Sequence, residues 1–298
     1  MPAGPGGRRH GEGGAATRPS ARCVLRALSW LALLLAMSVT PARAEQAPAS
    51  AAGGESATEL AKKTQNPVAD LVSVPFQNNF NFRVGPEDRS VWVLNVQPVI
   101  PISLGAEWNL ITRTIMPIIN QPELAPGVDH AFGLGDINPS LFLSPAGSKE
   151  LIWGVGPTFT FPTATSRELG QGKVSMGPTA VALTMQGPWV VGALTNNQWS
   201  IAGWGDANVN QFLLQPFVNY NFDHGWYLST APIMTADWKA SSGNKWTVPV
   251  GGGGGKLWRL GKVGLPVNTQ VQGFINAARP EYAAQWQLRV QIQLLFPR

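Results

Sequence analysis

The twelve residues QWQLRVQIQLLF, 285–296, decide how the rest of the chain is read. Trp286, Leu288, Val290, Ile292, Leu294 and Phe296 share one parity. Gln287, Arg289, Gln291 and Gln293 share the other, with Leu295 as the break. A period of two over this length is a strand with one apolar and one wet face. An arginine and three glutamines on the wet face predict a sheet curled around a polar lumen. The apolar face must then meet lipid or a second protein layer.

Working outward, similar runs recur at about 74–84, 90–100, 108–118, 135–143, 151–161, 173–185, 189–201, 209–222, 226–238, 245–259 and 267–276. With the terminal run they make twelve strands, an even number that places both chain ends on one side. The facing of 189–201 is ambiguous. Connections after even strands are short (101–107, 145–150, 186–188, 223–225, 261–266). Those after odd strands are mostly longer (119–134, 162–172, 202–208, 239–244, 277–284), with 85–89 the exception. Short turns alternating with longer loops are expected of a transmembrane barrel. The tryptophans agree. Trp92, Trp108, Trp153, Trp189, Trp226, Trp246 and Trp286 fall near strand starts, and Trp199, Trp238 and Trp258 near strand ends, as two aromatic girdles require. Pro98, Pro139, Pro157, Pro178, Pro216, Pro232 and Pro249 fall inside the predicted strands and are expected at strand ends or bulges.

Residues 1–44 carry six arginines against Glu12, so the whole formal excess of +5 sits there and the remainder is neutral. Nucleic-acid binding therefore lacks electrostatic support. Arg18, Arg22 and Arg26 precede an apolar run at 27–39, and Ala42-Arg43-Ala44 is a small-x-small site, so 1–44 reads as an export signal. The single cysteine, Cys23, lies in it. Residues 45–72 read as a flexible segment with one short helix. Ser56 and Glu59 fit a capping box, and Asn66-Pro67 ends the helix. This segment is either a periplasmic tether or a plug entering the lumen. Residues 73–298 form the barrel.

The predicted lumen lining is Gln77, Asn79, Asn81, Arg83, Asn95, Gln97, Arg113, Asp136, Asn138, Lys173, Gln211, Gln215, Gln270, Gln272, Gln287, Arg289 and Gln291. Amides both donate and accept, which suits polar, weakly charged solutes. The lumen is either a conducting pore or a filled, plugged or gated one. Catalysis has little support. His130 falls in an outer loop and His224 in a periplasmic turn, so the two cannot share a site. No cofactor, metal cluster or phosphate loop is expected. Gly251–Gly255 lacks the lysine and helix that a phosphate loop needs, and reads as a kink or as room for another segment.

Several phrases resemble a family of Gram-negative outer-membrane barrels grouped with the phenol-degradation (MetA) pathway, labelled "transporter" or mislabelled "neuromedin U". They include ELAKKTQNPVADL (59–71), SVPFQNNFNF (73–82), FGLGDINPSLFLSP (132–145), VNQFLLQPFVNYN (209–221) and WQLRVQIQLLFP (286–297). The resemblance covers about 59–297. It implies the cell outer membrane, lipid and the barrel-assembly machinery as partners, and a hydrophobic or aromatic solute. Phe296 resembles the C-terminal aromatic assembly signal, although Pro297 and Arg298 follow it. The expected function is passage of a small solute, with a non-conducting barrel that anchors a periplasmic partner as the alternative.

Overall fold

The period-two runs close on themselves. The computed structural model describes residues 56–147, 150–260 and 265–296. Residues 1–44, read above as an export signal, and residues 45–55 lie outside these. Fifteen strands form one antiparallel sheet: β1 (Val72–Val84), β2 (Arg89–Val96), β3 (Val99–Ser103), β4 (Trp108–Gln121), β5 (Ala131–Leu134), β6 (Asn138–Pro145), β7 (Ile152–Thr160), β8 (Lys173–Gln186), β9 (Trp189–Gly203), β10 (Asn210–Asn221), β11 (Trp226–Thr230), β12 (Met234–Asp237), β13 (Trp246–Leu260), β14 (Leu265–Ala278) and β15 (Trp286–Phe296). The pairs β2/β3, β5/β6 and β11/β12 are single staves with a break, so the barrel has twelve staves. β15 pairs with β1 from Val72↔Phe296 to Phe82↔Trp286 and closes it. Closure leaves no free edge, which lets backbone polar groups pair across the whole wall.

Alternation places the side chains. Along β1, Ser73, Gln77 and Asn79 are buried, while Val74, Phe76 and Phe80 lie on the outer face. The outer face is an apolar belt that includes Val155, Leu228, Val250, Val271, Ile275 and Ile292, all well exposed. In water such a surface would drive association; against lipid it is what a spanning barrel needs. Trp92, Trp199, Trp238, Trp246 and Trp286 cluster at the end carrying the longer loops. Trp108, Trp153, Trp189, Trp226 and Trp258 ring the end carrying the short turns and both ends of the ladder. Phe82 stacks on Trp286 at 3.8 Å, and Trp108 meets Trp153 edge-on at 6.1 Å.

The prolines divide into two groups. Pro98 and Pro232 fall in the breaks β2/β3 and β11/β12, and Pro249 sits at a register shift. Pro139 is the second residue of β6, at a strand end as expected, whereas Pro157, Pro178 and Pro216 lie inside regular strands, contrary to expectation. Pro157 faces Pro178 across β7 and β8. Pairing lapses on the far side of each: between Leu143/Val155 and Ser140/Thr158, and between Met176/Trp199 and Thr179/Asn196. The sheet thus places its missing amides where the ladder is already open.

Helix α1 (Ala57–Thr64) precedes β1. Ser56 Oγ accepts from the Glu59 amide at 3.1 Å, which satisfies one orphan donor of the first turn. The helix does not stand clear of the barrel. Leu60 and Ala61 are buried against Tyr227, Leu257 and Leu295, inward side chains of β11, β13 and β15. Farther along, Val68 is buried among Ile111, Phe142, Leu183, Leu194 and Phe217, inward side chains of β4, β6, β8, β9 and β10. One short segment touching opposite walls must cross the lumen. This also explains Leu295, the break in the terminal alternation: it faces inward onto the helix, so its slot is dry.

Candidate functional site: a two-chambered lumen

The lumen above the crossing segment is divided. An inner chamber of about 160 Å³ lies between residues 63–71 and the wall. An outer vestibule of about 300 Å³ opens toward the long loops. Gln77 and Arg289 line both, so they form the waist.

Arg289 is 3% exposed. Its Nε donates to Asn79 Oδ1 at 3.2 Å, Nη1 to the Ala231 carbonyl at 3.0 Å and to Gln272 Oε1 at 3.4 Å, and Nη2 to Gln287 Oε1 at 3.4 Å. Its guanidinium also lies over Phe274, 4.9 Å from the ring centre. The Ala231 carbonyl is reachable because Pro232 breaks the stave there. Every acceptor is neutral, so the site keeps a net positive charge. On the β4 wall, Arg113 Nη2 donates to Gln97 Oε1 at 2.8 Å. Gln97, Gln215, Gln270, Gln272 and Gln291 line the inner chamber; Asn81, Asn95 and Gln287 line the vestibule.

Other predicted lining residues serve elsewhere. Arg83 is exposed at the outer rim with φ 56° and bonds Gln285 at 3.2 Å. It sits past the last register pair of the seam, beyond the point where alternation holds. Asp136 accepts from the Ala164 and Gln171 amides at 3.2 and 2.7 Å, so it pins the loop after β7 instead of facing the passage. Asn138 points inward but is taken up by Thr158, Thr160 and the Phe159 carbonyl. Gln211 is exposed at the rim, and Lys173 lies at the bulged end of β8, lining neither chamber. His130 bonds Asn120 at the outer end, and His224 sits in a short turn at the other end.

The lumen is less polar than expected. Ile111, Phe142, Leu194, Phe217, Tyr227 and Phe274 all point inward and are buried. Parity alone would have found Tyr227, since Trp226 beside it faces out. Its hydroxyl donates to Asn268 Oδ1 at 2.9 Å. The ring lies over Gly255, where a Cβ would collide with its hydroxyl. At Gly255 the missing side chain is therefore room for the Tyr227 ring. Gly255→Val is expected to displace Tyr227 from α1 and Asn268 and to destabilise the barrel by about 1–3 kcal/mol. Urea unfolding in lipid vesicles reads this directly; an unchanged midpoint would mean Tyr227 has room elsewhere.

No protein-family model and no curated protein matches the chain. Among solved structures, an outer membrane channel from Pseudomonas putida F1 aligns with a TM-score of 0.57 at 14% identity, over 76% of this chain and 94% of that one. This is an outer-membrane barrel fold. Outer membrane phospholipase A from Escherichia coli aligns at a TM-score of 0.39 and 12% identity, over 75% of this chain and 96% of that one, too low a score to carry a shared architecture.

Proposed function

We propose that this barrel resides in the outer membrane and passes a small solute across it without chemistry of its own. The observation that carries this reading is the pair of chambers meeting at the Arg289 waist inside a closed, lipid-facing wall. The mixed lining suits an amphipathic solute better than either a fully hydrophobic or a fully polar one. The likeness to a Pseudomonas putida outer membrane channel supports the fold, and the quoted MetA-like phrases favour an aromatic solute. Lipid and the barrel-assembly machinery are the partners this role requires, and residues 1–44 would direct export.

A second reading, a barrel that does not conduct at rest, is favoured by the segment crossing the lumen. Planar-bilayer recording separates the two. Small single-channel steps are expected from the intact protein, and several-fold larger steps after deletion of residues 56–71. A bilayer closed at all voltages in both forms would overturn the channel reading.

A further inference from the structure

The inner chamber contains an imbalance that transport alone does not explain. Its lining includes the guanidinium groups of Arg113 and Arg289 and, among the described residues, no aspartate or glutamate. Arg289 has four of its five donors engaged by neutral acceptors, as described above. Arg113 does not. A guanidinium carries five N–H donors, and the protein bond made by the Arg113 side chain is the one to Gln97. Arg113 itself lines the chamber. A planar fork with free parallel donors matches a carboxylate.

The remaining lining says what the carboxylate is attached to. Leu71, Leu194, Phe217, Tyr227 and Ala231 supply an apolar side opposite the amides. The volume of about 160 Å³ is close to the roughly 150 Å³ of an engineered apolar cavity that takes up benzene. We infer that the inner chamber is a binding site for a small organic carboxylate on a ring-sized apolar body, with Arg113 receiving the carboxylate. The inference rests on the channel reading for its place on a route, but binding itself can be measured without conduction. It also reconciles a guanidinium-lined lumen with an aromatic solute: the solute carries both features.

The probe is benzoate, titrated calorimetrically into the detergent-solubilised full barrel, with benzyl alcohol, benzylamine and acetate as comparators. Benzoate is expected to bind at least tenfold more tightly than the other three. Arg113→Gln should remove that preference, and Arg113→Lys should retain part of it, with heat-modifiable gel mobility confirming that each variant is folded. The wild-type comparison stands even if a variant fails to assemble. Equal binding of benzylamine would overturn the role of the cation. Equal binding of acetate would overturn the apolar body. Benzoate preference unchanged in folded Arg113→Gln would overturn the assignment to Arg113. Benzoate binding by a barrel that never conducts would sink the channel reading and leave this site standing. Conduction without benzoate preference would do the reverse.

Discussion

Val290→Arg is expected to destabilise the folded barrel by about 2–4 kcal/mol in a lipid bilayer. Val290 lies in the middle of β15, level with Val271 on one side and Asn78 on the other. Its parity is that of Leu288 and Ile292, the outer face, so a guanidinium there must enter hydrocarbon or bend to reach an interface. Gln291→Arg is the matched control. That residue lines the inner chamber, where water and amides can solvate an added charge, and a much smaller loss is expected. Urea unfolding from vesicles, read by gel mobility, gives both values. The reverse order would mean that the register of β15 is shifted by one residue, because a one-residue slip exchanges the two faces.

Leu60→Asp is expected to release the crossing segment while leaving the barrel folded. Leu60 is 2% exposed, and a carboxylate placed there has no cation among its neighbours Tyr227, Leu257 and Leu295. Burying an unpaired charge costs several kcal/mol. Beyond the burial of Ala61 and Val68, the docking contacts that remain are modest: the reciprocal amide bonds of Gln65 and Asn221 at 2.8 and 3.1 Å, and Thr58 to the Phe222 carbonyl at 3.2 Å. An eight-residue helix does not persist alone in water, so release should unfold it. Limited proteolysis should then cut near residues 57–64, and single-channel steps should grow toward those of the deletion. The urea midpoint of the barrel should move little, because α1 contributes nothing to the strand ladder. Glu59→Gln breaks only the exposed pair with Lys62 and should leave both readouts as they are. Protease resistance and unchanged conductance in Leu60→Asp would show that docking does not depend on this side chain.

Most of the wall is legible in the sequence for a physical reason. Lipid on one side and water on the other force contrast between neighbouring residues, and the run 286–296 carries that contrast almost without error. It fades where both faces are apolar. Residues 189–194, WVVGAL, offer no contrast, and the inward placement of Val190 and Leu194 emerges only from the barrel. Such dry inner positions exist because something apolar covers them, and that cover comes from residues far away in sequence. Val68 meeting Phe142 leaves no local period to read. Breaks are equally hidden: 90–100 and 226–238 read as continuous strands, yet Pro98 and Pro232 split them. The second break also frees the carbonyl that Arg289 uses, so the detailed geometry of the waist could not be read from β15 alone.

The position of α1 in the chain has a kinetic consequence. Residues 65–71 are all that separate it from Val72, the first residue of the closing seam. A linker this short holds a released helix at millimolar effective concentration near its own seat. The helix also enters from the end at which the chain enters the wall, so it need not be threaded through the barrel. It works as a stopper on a chain. Reseating is intramolecular, independent of how many copies the membrane holds, and each opening should be brief and self-terminating.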